Sequence, residues 1–150
     1  NQSVTAVSLR LGRLIGGYEG ARESEFFHKV IKARLEGNEI KISNGDTVNN
    51  LLDLSDAINS VFYFMNCRTK RYKGDAINIC SFSMTTNEYV RAVNEALDMK
   101  GDVNFNKAFM EKSEAAKKGV LETDLAKELG WKPSISLYNS LNNIINFFKS

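Results

Sequence analysis

The sequence predicts an α/β domain of mixed α+β character, and three observations predict it. Strand-like and helix-like apolar patterns alternate as strand, helix, strand, helix, strand, helix, and then give way to helices. The predicted helices carry start or stop signals of their own, above all the capping box Thr85-x-x-Glu88 and the stop at Gly37. The stretch Leu129-Gly130-Trp131-Lys132-Pro133-Ser134-Ile135-Ser136-Leu137 joins two helices in a tight corner.

In chain order, Val4–Leu11 holds Val4, Thr5, Val7, Leu9 and Leu11 and predicts a strand buried on both faces. It runs into the loop Gly12-Arg13-Leu14-Ile15-Gly16-Gly17-Tyr18-Glu19-Gly20. Gly12 and Gly17 have the separation of a P-loop, but Tyr18 stands where lysine is required. The dinucleotide fingerprint fails as well, because Ile15 occupies the place of its first glycine. These glycines therefore serve a turn or a close backbone approach.

Ser24 is expected to cap a helix over Glu25–Leu35, with Phe26, Phe27, Val30, Ile31 and Leu35 inward. His28, the sole histidine, lies beside that face; with no second histidine and no nucleophile motif, it predicts no catalytic role. Glu39–Ser43 alternates and predicts a short strand, followed by the turn Asn44-Gly45-Asp46. Leu51–Leu54 leads into a helix near Asp56–Met65, capped by Asp53 or Ser55, with Ala57, Ile58, Val61, Phe62 and Met65 as its apolar face. Arg68, Lys70, Arg71 and Lys73 read as a solvated basic connector.

Ala76–Cys80 predicts a short buried strand, and the capping box opens a helix to about Leu97, with Val90, Val93 and Leu97 inward. Lys107–Lys118 reads as a weakly patterned helix. A helix over Thr123–Leu129 stops at Gly130 in the C′ position, Pro133 forces an extended step, and Ser136 caps the last helix. That helix aligns Leu137, Leu141, Ile144, Ile145 and Phe148 on one stripe, and Trp131 is expected to plug the corner.

A chain of 150 residues makes one domain and can bury roughly 70% of its unfolded surface. No apolar run approaches the ~20 residues of a membrane span, and no secretory pattern opens the chain, so a cytoplasmic location and no membrane partner are expected. Because the chain begins at Asn1 rather than methionine, it is expected to be a piece of a longer protein. A net charge of +2 is neutral on nucleic acid, and none is expected as a partner. Cys67 and Cys80 form neither a metal spacing nor a disulfide framework.

The corner Leu-Gly-Trp-Lys-Pro-x-x-Ser-Leu, Leu129 to Leu137 here, followed by a helix ending in an aromatic, resembles the C-terminal end of NAD-dependent nucleotide-sugar epimerases and dehydratases, the extended short-chain dehydrogenase/reductases. Further segments are similar in order: Leu9-Arg10 running to Gly16, Leu35-Glu36-Gly37 with Ile40 to Asp46, Leu52 to Ile58 around Asp56, and Ile77-Asn78-Ile79 with Thr85 to Glu88. The resemblance implies that Gly12, Arg13, Gly16 and Gly17 line the substrate's phosphates, Arg13 standing where many relatives have asparagine. It also implies that Asn49 and Lys112 stand nearest to two phosphate-binding arginines. Glu122 to Leu125 depart from the family's pattern, so the sugar-nucleotide site is expected to be altered.

The family's Gly-x-x-Gly-x-x-Gly and Tyr-x-x-x-Lys occur nowhere in these residues. The chain accordingly looks like a C-terminal substrate domain carrying the last strands of the Rossmann sheet, with the N-terminal NAD-binding half absent. The resemblance implies no catalytic residue, no metal and no cofactor within this chain, and NAD or NADP in the full-length parent. It implies a nucleotide-sugar partner, and a fragment that self-associates through an exposed strand edge. The alternative reading is a degenerate binding or structural module that uses the basic loop 68–73.

Overall fold

A computed structural model describes residues 6–17, 25–67, 76–98 and 119–150. Five short strands and five helices are assigned among them: β1 (Leu9–Leu11), β2 (Arg13–Ile15), α1 (Phe26–Leu35), β3 (Val48–Asp53), α2 (Leu54–Asn66), β4 (Ile77–Ile79), β5 (Phe82–Thr85), α3 (Thr86–Asp98), α4 (Asp124–Glu128) and α5 (Leu137–Lys149). The class is mixed α/β, as the alternation predicts. The layout turns on one event: β1 and β4 pair in parallel, with Leu9 opposite Ile77, and then part. Their continuations β2 and β5 flank β3, parallel on the β2 side and antiparallel on the β5 side. Gly12 is the hinge of the first strand, and its N–H donates to the Ile79 carbonyl at 2.8 Å. At the second hinge, Ser81 N–H donates to the Leu51 carbonyl at 2.9 Å.

β3 is central, and it corrects the sequence reading, which gave Leu51–Leu54 only as a lead into the helix. Val48-Asn49-Asn50-Leu51-Leu52-Asp53 does not alternate because Leu51 and Leu52 are both fully buried, on opposite faces. Leu51 joins a core with Phe27, Val30 and Ile31 of α1, Tyr89 and Val93 of α3, and Leu141 and Ile144 of α5. Leu52 joins a second core with Ala57 and Phe64 of α2, Ile77 and Ile79 of β4, Ala126 and Leu129, and Trp131. Trp131 is buried in this second core and fills the corner as expected.

Other boundaries moved for identifiable reasons. The predicted strand Val4–Leu11 is confined to Leu9–Leu11 within the described residues, since only these pair with β4. Part of the glycine loop is itself strand β2. Glu39–Ser43 forms no strand: alternation over five residues supplies no ladder partner, and Ile40 packs on the first core from a loop. β5 was missed because Phe82-Ser83-Met84-Thr85 is short and runs directly into the capping box. α1 starts at Phe26, with Glu25 at the N-cap making no side-chain capping bond; the expected cap Ser24, the basic loop 68–73 and the expected helix 107–118 lie outside the described residues.

The helix signals hold. The Thr85 hydroxyl accepts from Glu88 N–H at 3.2 Å while the Glu88 carboxylate accepts from Thr85 N–H at 2.6 Å. Ser136 accepts from Asn139 N–H, and Asp53 from Ser55 N–H. Gly37 and Gly130 have φ of +71° and +92° and close α1 and α4 with paired carbonyl bonds: Asn38 N–H to Ala33, and Trp131 N–H to Ala126.

The largest correction concerns α2. It begins at Leu54, and the side it buries is Asp56, Ala57, Ser60 and Phe64. Ile58, Val61, Phe62 and Met65, expected inward, face out. The polar inward residues are satisfied: Ser60 Oγ donates to the Ala57 carbonyl, and Asp56 is bonded as described below. The apolar stripe of α2 is thus the outer one, and periodicity alone could not reveal that the domain covers the side carrying Asp56 and Ser60.

Candidate functional site

The hinge at Gly12 draws the predicted binding residues together from two strands. Arg13 lies opposite Leu51 in the β2–β3 ladder. Asn49, two residues before Leu51, belongs to the same face of β3. A Cβ on Gly12 would stand 2.8 Å from the Asn50 carbonyl oxygen and 3.4 Å from that of Ile79, so only glycine lets the chain cross here. Its amide is spent on Ile79. Gly16 donates its N–H to His28 Nε2 at 3.4 Å, so in the neutral ring the proton sits on Nδ1. Buried His28 thus works as a packing group, with its ring 6.2 Å from that of Phe148. Gly17 lies against the backbone of α5: a Cβ there would meet the Asn143 carbonyl group and stand 2.9 Å from the Ile144 Cα.

Arg13 is the cation of this group. Its guanidinium forms an ion pair with Glu25 at 3.0 Å and sits 5.6 Å from the centroid of the Phe27 ring. The pair is partly exposed and worth about 0–1 kcal/mol, so exchanging Glu25 for another anion costs little. Asn49 is tied by its amide to the Thr47 carbonyl at 2.9 Å and to Thr86 Oγ1 at 3.0 Å. Lys112 lies outside the described residues, so Gly12, Arg13 and Asn49 are the members brought to one place, with Gly16 and Gly17 following along the loop.

Three buried or half-buried polar residues, of which the sequence reading gave only Asp53 a role, as a cap, organise the surroundings. Asp56 accepts from Ser134 N–H at 2.8 Å and Ser134 Oγ at 3.0 Å on one oxygen, and from Ser81 Oγ at 2.8 Å on the other. It ties α2 to the hinge between β4 and β5 and to the Trp131–Ser136 corner. Asp53, besides capping α2, accepts from Ser140 Oγ at 2.6 Å and fixes α5 to β3. Asn50 accepts from Ser83 Oγ and Leu121 N–H and donates to the Gly119 carbonyl, fastening the segment before α4 to β3 and β5. One signal was present in the sequence: Asp56 is the single charged residue of α2.

A separate open cavity of about 610 Å³ lies between β5, residues 120–127 and residues 133–137. Ser81, Ser83, Thr123 and Ser136 are among its lining, and none of Gly12, Arg13, Gly16, Gly17 or Asn49 is. Its buried Cys80 thiol is engaged with the carbonyls of Leu51 and Phe82.

Where β1 and β4 end, the Gly12 and Ser81 amides donate to the carbonyls of Ile79 and Leu51. Tyr89 is no acid–base group: its hydroxyl donates to the Phe27 carbonyl at 3.1 Å, and burial pushes the phenol far above its usual range. Among the described residues no three His, Cys, Asp or Glu side chains converge as a metal site, and no helix is long and apolar enough to cross a membrane.

A parallel strand pair that opens around a third strand, helices on its faces and an arginine at the opening define a mixed α/β domain. No family model matches the sequence, and no curated protein does. The fold is that of part of the UDP-sugar 4-epimerases. Against UDP-glucuronic acid 4-epimerase from Bacillus cereus, solved with a fluorinated UDP-glucuronic acid and NAD, the TM-score is 0.71 at 20% identity over 95% of this chain. Against UDP-N-acetylglucosamine 4-epimerase from Methanobrevibacter ruminantium it is 0.69 at 17% identity over 95%. Against UDP-glucose 4-epimerase from Thermotoga maritima, solved with UDP-glucose, it is 0.66 at 20% over 94%. The chain spans less than half the length of these proteins, 45%, 46% and 45% respectively.

Proposed function

We propose that this chain is the substrate-binding, C-terminal region of an NAD(P)-dependent nucleotide-sugar epimerase, dehydratase or reductase, inactive without an N-terminal Rossmann half. The observation that carries the reading is the fold match over nearly the whole chain to less than half of several UDP-sugar 4-epimerases. In this reading the nucleotide's phosphates lie against the loop from Gly12 to Gly17. Gly12, Gly16 and Gly17 shape that loop by their contacts within the chain, while Arg13, Asn49 and Lys112 provide the polar contacts. Arg13 suits the role because its surface ion pair with Glu25 exchanges cheaply for a phosphate, which its planar fork binds with two parallel bonds. NAD or NADP would be held by the parent's other half and would supply the transient oxidation of the sugar.

A charge-assisted contact of this kind is worth about 1.5–3 kcal/mol. Arg13→Ala in the full-length parent is therefore expected to raise KM for the nucleotide sugar about tenfold or more, since 1.4 kcal/mol is one decade. An unchanged KM would remove Arg13 from the site.

A further inference from the structure

We propose that Asn49 reads a hydroxyl group of the nucleotide sugar, beside the phosphates, through its side-chain oxygen, and is a specificity-determining residue rather than a phosphate ligand. The inference rests on the reading above and assigns one of its polar contacts. Asn49 carries two amide hydrogens, and both are spent: one goes to the Thr47 carbonyl at 2.9 Å and the other to Thr86 Oγ1 at 3.0 Å. The partners fix the orientation of the amide. The Thr47 carbonyl can only accept, so the nitrogen must face it. The Thr86 hydroxyl also donates to that carbonyl, at 3.4 Å, which leaves its oxygen to accept from Asn49.

What Asn49 has left to offer is an acceptor. Among the described residues its Oδ1 has no hydrogen-bond partner, although the side chain is half-buried. The phosphates of a nucleotide sugar are ionised diesters with no proton to give, so Oδ1 would repel them. Turning the amide over to aim its hydrogens at an anion would break both bonds and set Oδ1 against the Thr47 carbonyl. The frame around it is tied down: Thr86 N–H donates to the same Thr47 carbonyl at 3.0 Å, and Val48 pairs with Thr85 across the β3–β5 ladder. A hydroxyl can donate, and it suits Oδ1. Asn49 shares a face of β3 with Leu51, the ladder partner of Arg13. Two strand residues span about 7 Å, comparable to the reach from a phosphate held by Arg13 to the hydroxyls of the ribose or hexose next to it.

The test is calorimetric titration of the full-length parent, unchanged and as Asn49→Ala, with UDP-glucose, with UDP, and with UDP-glucose analogues lacking the 2′- or the 3′-hydroxyl of the ribose. Mildly alkaline buffer keeps the terminal phosphate of UDP ionised. Asn49→Ala should fold, because the Thr47 carbonyl keeps the Thr86 N–H and hydroxyl as donors. Asn49→Leu, similar in volume and apolar, is the second variant. Loss of one neutral hydrogen bond should weaken UDP-glucose about three- to tenfold in either variant. The weakening should vanish with UDP if the hydroxyl belongs to the hexose, and with one of the deoxy analogues if it belongs to the ribose. Equal weakening of every ligand in the series would make Asn49 a phosphate or base contact, and an undiminished affinity for UDP-glucose would remove it from the site. Either result overturns the proposal and leaves substrate binding by the parent standing. Failure of the unchanged parent to bind UDP-glucose, UDP-glucuronic acid or UDP-N-acetylglucosamine would remove the proposed function, and this inference with it.

Discussion

Gly17→Ala separates a packing role for the glycine loop from a purely ligand-binding one. The added methyl group would meet the Asn143 carbonyl oxygen and stand 2.7 Å from the Asn143 carbonyl carbon and 2.9 Å from the Ile144 Cα. Ordinary carbon contacts are about 3.5–4.0 Å, so loop or helix must move by roughly 1 Å. Neither moves easily. α5 is held by Leu137, Leu141, Ile144 and Ile145 in the core and by the Ser140–Asp53 bond. Overpacking costs about 1–3 kcal/mol, and backbone atoms on α5 put this case near the top of that range. Reduced freedom of the unfolded chain offsets about 0.4–1 kcal/mol. The net loss of roughly 2 kcal/mol lowers Tm by about 4–8 °C in a chain of this size.

Gly37→Ala is the control. Nothing lies within 4 Å of its Cβ position, and only its φ of +71° is strained, so after the same offset it should lose about 1 kcal/mol or less, roughly half as much. Thermal unfolding of both variants by circular dichroism decides the matter. Gly17→Ala melting within about 1 °C of the unchanged chain would refute the packing argument.

The 150-residue chain alone should give no specific heat when NAD or NADP is titrated to about 1 mM, because the glycine fingerprint and the Tyr-x-x-x-Lys pair are missing from it. Micromolar binding would overturn this. The same chain should self-associate through the open edge of β1, by strand pairing or strand exchange. Light scattering over about a hundredfold concentration range should show mass rising with concentration. A monomer throughout, with the amides of Leu9–Leu11 exchanging as slowly as those of Ile77–Ile79, would show that this edge is covered from within.

What could be read in the sequence was local. The capping box at Thr85 and Glu88, the C′ glycines, the Ser136 cap and the stripe on α5 are decided by neighbouring residues, and all are present. The pairing of β1 with β4 was legible too, through the resemblance. The splitting of the first and fourth strands at Gly12 and Ser81 was not. It depends on β3 coming between their continuations, and β3 hides in Leu51-Leu52, whose two sides serve two cores. For the same reason α2 turned the opposite face inward: its core side is chosen by Asp56 reaching Ser81 and Ser134, distant in sequence. At the candidate site, Arg13 and Asn49 were recognisable only as departures from a family pattern, and their proximity follows from the β2–β3 register.

The central claim is that this chain holds the nucleotide sugar for a larger enzyme. Calorimetric titration of UDP-glucose into the full-length parent polypeptide, unchanged and carrying Arg13→Ala, tests it most directly. Saturable binding that Arg13→Ala weakens about tenfold or more is the predicted result. No saturable binding of UDP-glucose, UDP-glucuronic acid or UDP-N-acetylglucosamine to the unchanged parent would contradict it.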